Sequence, residues 1–148
     1  PRPLRMVVAG TGPETYVQQL KSDFASPDIE FIGHSAPEAL FLRSDATIVA
    51  SVWDDPLPGV AFQALAHGVP VLGTHRGGIP EMVKDAHNGL LYDPDQPDGL
   101  QQAMVRIVNE PGMHARLTTN TTPSAAPFLS EERLFKEYMS LYGEVIQK

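Results

Sequence analysis

Short apolar runs alternate with longer amphipathic segments along the chain. Apolar runs that end at glycine or at polar residues are typical of strands. Five such runs lie at residues 4–10, 29–33, 46–51, 69–73 and 88–93. The segments between and after them carry apolar residues at helical spacing, which predicts helices. These segments lie at residues 11–25, 35–44, 58–67, 79–85, 97–110 and 130–147.

The predicted strands lack the alternation of polar and apolar residues that marks a sheet with one face in water. Burial on both faces is typical of a parallel sheet that is covered by helices. We therefore expect residues 1–148 to form a single α/β domain. Its core would be a Rossmann-like parallel sheet of about five strands with helices on both faces, in three α/β/α layers. Ligands in such folds bind outside the carboxyl ends of the strands.

Hydroxyl residues mark two predicted helix starts. Ser35 and Glu38 form a capping-box pattern, and Ser130 precedes the C-terminal helix. That helix carries an apolar stripe made of Leu134, Tyr138, Leu141 and Val145. If the stripe is exposed, it favours self-association. The segment at residues 118–127 is rich in threonine and small residues and is predicted to be a loop.

Composition and charge exclude several classes of function. The net charge is −7 and the 11 Lys and Arg residues are scattered, so no nucleic-acid partner is expected. The absence of cysteine excludes disulfides and thiolate chemistry. No apolar run approaches the ~20 residues of a membrane helix, and we expect a cytoplasmic protein. The five histidines lack ligand-like spacing, so no metal site is assigned.

The turn AGTGPE after the first predicted strand contains only part of a dinucleotide-binding fingerprint. Gly10 and Gly12 match its first two glycines. Glu14 and Thr15 stand where the third glycine should fall. A nicotinamide site is therefore not expected.

The most informative stretch is WDDPLPGVAFQ at residues 53–63, where acids and prolines precede a predicted helix. Free N–H groups and the helix dipole at such an end attract anions. Pro58 suits the first turn, Gly59 lets an anion approach the backbone, and Gln63 lies on the same face. Asp55 is better suited to hydroxyls than to phosphate. A sugar nucleotide fits this pattern, although Asp-Asp-Pro is also an ordinary cap and turn.

Several blocks occur in the order found in one known family: VVAGTGPE, IEFIG, ATIVAS and WDDPLPGVAFQALAHGVPVLGTHRGGIPEMVKDAHNGLLYDPD. They resemble the C-terminal domain of retaining glycosyltransferases of the group 1 (family 4) type, which have the two-domain B-type fold. The resemblance covers about residues 4–110. It implies a binding site for a UDP-, GDP- or ADP-sugar donor, with no cofactor and no metal.

The resemblance also implies roles for individual residues. Asp55, the expected catalytic residue, would hold hydroxyls of the donor sugar, and Gln63 would reach the ribose. Pro58, Gly59 and Val60 would offer N–H groups or close approach to the diphosphate, although Pro58 has no N–H. The other donor-binding residues that it implies are Gly10, Gly12, Gly77, Gly78 and Glu81.

Two departures from the family pattern concern the same stretch. The family usually has glutamate at both ends of the pair that is Asp55 and Gln63 here, and a neutral amide cannot offer a charge-assisted bond. The family's glycine after the first acid is also displaced, because Leu57 and Pro58 precede Gly59.

Members of this family are longer and carry an acceptor-binding N-terminal domain. The chain therefore resembles a fragment that lacks this partner domain, and we expect no turnover by it alone. Peripheral membrane association of the full protein in polysaccharide or glycolipid synthesis is left open. Two alternatives also stay open: a non-catalytic α/β module that binds nucleotide or docks a partner, and a sugar-nucleotide epimerase.

Overall fold

A computed structural model describes residues 4–146 of the chain. The chain divides into two compact units, Pro1–Ser44 and Asp45–Lys148. Helices and strands alternate up to residue 109, helical segments follow, and every pairing between the described strands is parallel. The expected α/β class, with parallel strands flanked by helices, is therefore confirmed.

The first unit contains β1 (Met6–Ala9), α1 (Glu14–Asp23), β2 (Ile29–Gly33) and α2 (Pro37–Phe41). β1 and β2 pair with Met6 opposite Ile29. Beyond β1, the N–H of Gly10 donates to the carbonyl of Gly33 at 2.8 Å. α1 buries none of its residues, whereas Phe41 of α2 is buried. Backbone pairing therefore holds this unit together with little buried apolar surface of its own.

The second unit contains the remaining elements. They are β3 (Thr47–Val49), α3 (Gly59–Ala66), β4 (Val71–Thr74), α4 (Ile79–Met82), β5 (Gly89–Tyr92), α5 (Gly99–Asn109), α6 (Met113–Ala125), a 3-10 turn (Ala126–Leu129) and α7 (Glu131–Ile146). The strands lie in the order β3–β4–β5, and the central strand β4 is buried along its whole length. Hydrogen bonding thus groups the five strands as two and three, where we expected one sheet.

The core of the second unit lies where β4 and β5 pack against α5 and α6. Its buried members are Leu72, Leu90, Tyr92, Ala103, Met113 and Leu117. Each fully buried leucine of this set contributes about 1.5–3 kcal/mol. Burial also raises the pKa of the Tyr92 hydroxyl. β4 and β5 lie so close together that a Cβ at Gly89 would overlap the carbonyl oxygen of Val71.

The prediction of a loop at residues 118–127 is wrong, because most of this segment belongs to α6. Leu117, Thr121 and Ala125 follow one another at four-residue spacing and are buried. Packing of this face against α3 and α5 therefore outweighs the low helix propensity of threonine. Hydroxyl groups of α6 also bond back to the helix, as in the 2.7 Å bond from Thr121 to the carbonyl of Thr118.

The two predicted caps have opposite outcomes. The hydroxyl of Ser130 accepts a hydrogen bond from the N–H of Arg133 at 3.2 Å, as expected of a cap. The capping box at Ser35 is wrong, because α2 begins later, at Pro37, and has no side-chain cap. Proline at the first helical position instead presets the backbone angle that a helix needs.

α7 presents its predicted apolar stripe to solvent. The stripe residues Leu134, Tyr138, Leu141 and Val145 are each more than half exposed. No residue that the structure describes in α7 is buried. The self-association expected from this stripe stays a prediction. Over residues 4–146, none of the helices combines the length and the apolar character that crossing a membrane requires.

Candidate functional site

Two loops meet at the carboxyl edge of the sheet in the second unit. Loop 50–58 connects β3 to α3, and loop 75–78 connects β4 to α4. Because β3 and β4 are parallel neighbours, both loops leave the same edge, where ligands bind in folds of this class. The hydroxyl of Thr74 donates to the carbonyl of Ser51 at 2.7 Å and ties the two strand ends together.

Successive backbone groups of loop 75–78 bond to successive residues of loop 50–58. The N–H of Gly77 donates to the carboxylate of Asp54 at 3.1 Å. The N–H of Gly78 donates to the backbone carbonyl of Asp55 at 2.8 Å. Both glycine N–H groups are thus engaged within the protein, so neither is left to bind an anion.

Glycine is required at both of these positions by the space that is available. A Cβ at Gly77 would overlap the backbone of Asp55, and a Cβ at Gly78 would overlap the carbonyl of Pro56. Gly77 also has a φ of 50°, in the left-handed region that glycine adopts without strain. The backbones of loops 50–58 and 75–78 are therefore in direct contact, and each loop fixes the position of the other.

The carboxylate of Asp55 holds its own loop together with one of its oxygens. Oδ1 accepts the N–H of Leu57 at 3.1 Å, and the backbone N–H of Asp55 donates to the carbonyl of Trp53 at 3.0 Å. Within the described part of the chain, the second carboxylate oxygen accepts no hydrogen bond. Asp55 is half-buried, so this oxygen remains available to a ligand hydroxyl.

α3 begins directly after this loop without a side-chain cap. Pro58 occupies the N-cap position, and its carbonyl accepts the N–H of Ala61 at 2.9 Å. The N–H groups of Gly59 and Val60 find no acceptor among residues 4–146. Together with the helix dipole, two free donors form a site that favours an anion.

The backbone of Gly59 is also open to approach. A Cβ at this position would meet no atom closer than Phe62, at 3.9 Å, and Val60 beside it is 41% exposed. The φ of Gly59 is not in the left-handed region. Neither conformation nor packing within the protein therefore requires glycine at position 59.

Gln63 lies one turn beyond Gly59 on α3 and is half-buried. Its backbone carbonyl accepts the ring Nδ1 of His67 at 2.8 Å. No described residue bonds its side-chain amide. An amide carries both a donor and an acceptor, so it can bind a pair of neighbouring hydroxyls.

Two charged residues, Arg76 of loop 75–78 and Glu81 of α4, lie in different surroundings. Glu81 is exposed in the first turn of α4, where a carboxylate is stabilised by the helix dipole. Arg76 forms an ion pair with Asp95, and its Nε is buried without an acceptor in the described structure. Across residues 4–146, no three His, Cys, Asp or Glu side chains are grouped closely enough to hold a metal ion.

Gly10 and Gly12 belong to the first unit, in the turn between β1 and α1. Gly10 has a φ of 147°, and its N–H is engaged by Gly33. Gly12 has ordinary backbone angles, and its surroundings leave room for a Cβ. The expected donor contacts of these two glycines stay predictions.

The sequence pattern assigned a functional role to Asp55 and none to Asp54. The Asp54 bond to Gly77 joins residues 23 positions apart. No local pattern reports such a pairing, because it depends on two strands ending side by side. The structural role of Asp54 is therefore visible only in the fold.

The profile of the family described as "Glycosyl transferases group 1" matches residues 2–123. This chain belongs to the group 1 glycosyl transferases. The resemblance found in the sequence blocks is thereby confirmed, and so is the type of enzyme to which the chain is related.

Two named relatives of this group 1 chain are longer than the chain itself. N-acetyl-alpha-D-glucosaminyl L-malate synthase from Bacillus anthracis is 25% identical over 146 residues, which are 97% of this chain and 38% of that protein. D-inositol 3-phosphate glycosyltransferase from Salinispora tropica is 30% identical over 108 residues, which are 73% of this chain and 22% of that protein. The chain thus spans less than half the length of these relatives.

A solved structure has the same fold as this group 1 chain. Anabaena HepE in complex with UDP-glucose superimposes with a TM-score of 0.83 at 20% identity, over 97% of this chain and 42% of HepE. At this identity the likeness establishes the fold.

Proposed function

We propose that this chain forms the nucleotide-sugar donor site of a retaining glycosyltransferase. The observation that carries the proposal is the uncapped start of α3, where the N–H groups of Gly59 and Val60 have no acceptor within residues 4–146. This start lies at the carboxyl edge of a parallel sheet. A structural neighbour, HepE, was solved with UDP-glucose, which has the diphosphate and hydroxyl groups that such a site would take.

In this proposal the diphosphate of the donor sits on the start of α3. Gly59 and Val60 donate their N–H groups to phosphate oxygens, because an anion there also gains from the helix dipole. The open surroundings of Gly59 admit a phosphate against the backbone. The free oxygen of Asp55 accepts a hydroxyl of the sugar, and the amide of Gln63 accepts and donates to the ribose hydroxyls.

Loop 75–78 contributes in a different way. Since the N–H groups of Gly77 and Gly78 donate to loop 50–58, these glycines support that loop and do not bind the ligand themselves. Glu81 remains exposed and available to a donor hydroxyl. No metal or cofactor is needed for these contacts, because N–H groups supply the electrostatic stabilisation of the leaving diphosphate.

Transfer of the sugar requires an acceptor held against the donor. In this proposal other parts of a longer protein hold the acceptor. We therefore expect the 148-residue chain to bind a nucleotide sugar without transferring its sugar. Incubation with UDP-glucose and a range of glycan acceptors, followed by mass spectrometry, checks this; a sugar-extended acceptor would contradict it.

A second candidate, a nucleotide-binding module without catalytic activity, is favoured by one observation. Gln63 is neutral, and an amide forms weaker bonds to ribose than the charge-assisted bonds of a carboxylate. Such a module would still use the start of α3. A longer form of the protein that includes an acceptor domain distinguishes the two candidates. Sugar transfer by that form favours the first candidate, and failure to transfer sugar favours the second.

Titration of the 15N-labelled chain with UDP, GDP and ADP tests the donor site. We expect shifts of backbone amides at residues 55–63 and 77–81. No shift with any of the three at millimolar nucleotide would overturn the proposal. The variant Gly59→Ala places a methyl group where the phosphate would lie, and we expect about tenfold weaker binding, equivalent to about 1.4 kcal/mol.

Gly143→Ala is the matched control for this variant. Gly143 lies in α7, and a Cβ there meets no atom within 4 Å, just as a Cβ at Gly59 meets none closer than 3.9 Å. Both substitutions raise helix propensity without a clash, so a general effect of replacing glycine should appear in both. Unchanged nucleotide binding in Gly143→Ala with weakened binding in Gly59→Ala assigns the effect to the start of α3.

A further inference from the structure

Asp54 is an exposed carboxylate that the fold uses to connect two loops. Its Oδ1 accepts the N–H of Gly77 at 3.1 Å. An exposed carboxylate is ordinarily satisfied by water, so a bond across 23 residues of sequence specifies how the loops lie together. Hydrogen bonds donated to a charged acceptor are stronger than those between neutral groups.

This bond is the first of a short series that leads to α3. The residue after Asp54 accepts the N–H of Gly78 through its carbonyl, and its side chain accepts the N–H of Leu57. Leu57 is followed by Pro58, which is the N-cap of α3. The segment that leads to this N-cap, residues 54–57, is four residues long, and loop 75–78 bonds to its first two residues.

We propose that Asp54 is a positioning residue for the donor site. By holding Gly77, it sets the direction of the Asp55 carboxylate and the entry of the chain into α3, where Gly59 and Val60 present their N–H groups. This inference rests on the proposed function, because it concerns the same donor. Asp54 acts through its neighbours and has no contact of its own with the ligand.

The charge of Asp54 separates this role from a direct one. A carboxylate near the start of α3 repels the diphosphate, whereas its hydrogen bond to Gly77 helps to form the site. An asparagine at position 54 would keep an acceptor oxygen for Gly77 and remove the repulsion. An alanine would remove both.

Three proteins decide the matter: the unchanged chain, Asp54→Asn and Asp54→Ala, each titrated with UDP and followed by hydrogen exchange of the Gly77 amide. We expect Asp54→Asn to keep the protection of Gly77 and to bind UDP as tightly as the unchanged chain or more tightly. We expect Asp54→Ala to lose the protection and to bind UDP about fivefold more weakly, equivalent to about 1 kcal/mol.

Other outcomes overturn the inference. Asp54→Ala with unprotected Gly77 and unchanged UDP affinity would show that the bond matters only to the loops. Weaker binding in Asp54→Asn with Gly77 still protected would show a direct role of the charge. If Asp54→Ala fails to fold, Asp54→Asn alone decides by the same criteria. Failure of the unchanged chain to bind UDP, GDP or ADP would instead overturn the proposed function.

Discussion

Gly78 and Gly59 lie at neighbouring loops of one sheet edge, but a methyl group added to each would meet different surroundings. At Gly78 it would overlap the carbonyl of Pro56, whereas at Gly59 the nearest atom is 3.9 Å away. The first glycine is therefore required by the protein's own packing. The second leaves a space that no described part of the protein fills, which is what a ligand-facing glycine should do.

The largest effect is expected at Gly78, where the protein leaves no room for a methyl group, and it concerns stability. Gly78→Ala should lower the free energy of unfolding by about 3 kcal/mol, because the added methyl group pushes loop 50–58 away from loop 75–78. Urea denaturation followed by circular dichroism measures the change. A loss below about 1 kcal/mol would mean that the backbone contact yields easily and that the loops are less fixed than their geometry indicates.

On α3, one turn beyond Gly59, the substitution Gln63→Glu should strengthen UDP binding about fivefold, or by about 1 kcal/mol. A carboxylate forms charge-assisted bonds to the ribose hydroxyls that an amide cannot form. Isothermal titration calorimetry gives the dissociation constant. The gain should disappear with 2′,3′-dideoxy-UDP; a gain that persists without ribose hydroxyls would assign Gln63 to another part of the ligand.

Ala86 tests the effect of a left-handed backbone conformation on stability, separately from the effect of close packing. It has a φ of 57°, in the left-handed region, although it is not glycine. Ala86→Gly should raise the free energy of unfolding by about 0.5–1 kcal/mol, since relief of left-handed strain outweighs the added freedom of the unfolded chain. A decrease in the urea midpoint would contradict this expectation.

The smallest effect on stability is expected for Gly59→Ala. Alanine is a better helix former than glycine, and nothing obstructs its Cβ here, so the free energy of unfolding should rise by about 0.5 kcal/mol. The same denaturation measurement as for Gly78→Ala applies. A loss of stability comparable to that of Gly78→Ala would remove the distinction between the two glycines.

Sequence patterns predicted the five strands and most helices because these elements depend on local periodicity. The apolar run before Asp54 indicated β3, and the glycine after α3 indicated where that helix ends. The elements observed are shorter than predicted at several ends, as for β1, which covers Met6–Ala9 within the predicted 4–10. Local signals mark an element more reliably than they mark its boundaries.

Features that depend on distant parts of the chain were not accessible in this way. α6 forms in a threonine-rich segment because its buried face packs on other helices, and no propensity scale contains that contact. The bond from the Gly77 N–H to the Asp54 carboxylate likewise depends on which strands are neighbours, and so does the difference in packing between Gly59 and Gly78. Sequence identified the candidate site residues, whereas the fold distinguished those that hold the loops from those left available.

Pro58 at the start of α3 leaves the helix less stable than it would be with a serine or aspartate cap, which contributes about 1 kcal/mol. An anion that binds there would supply the missing acceptors, so the folded state should gain RT ln(1 + [L]/Kd) on adding ligand. The melting temperature should consequently climb with nucleotide concentration. Engineering a cap at this position would yield a sturdier chain that is less receptive, with resistance to heat and affinity changing in opposite directions.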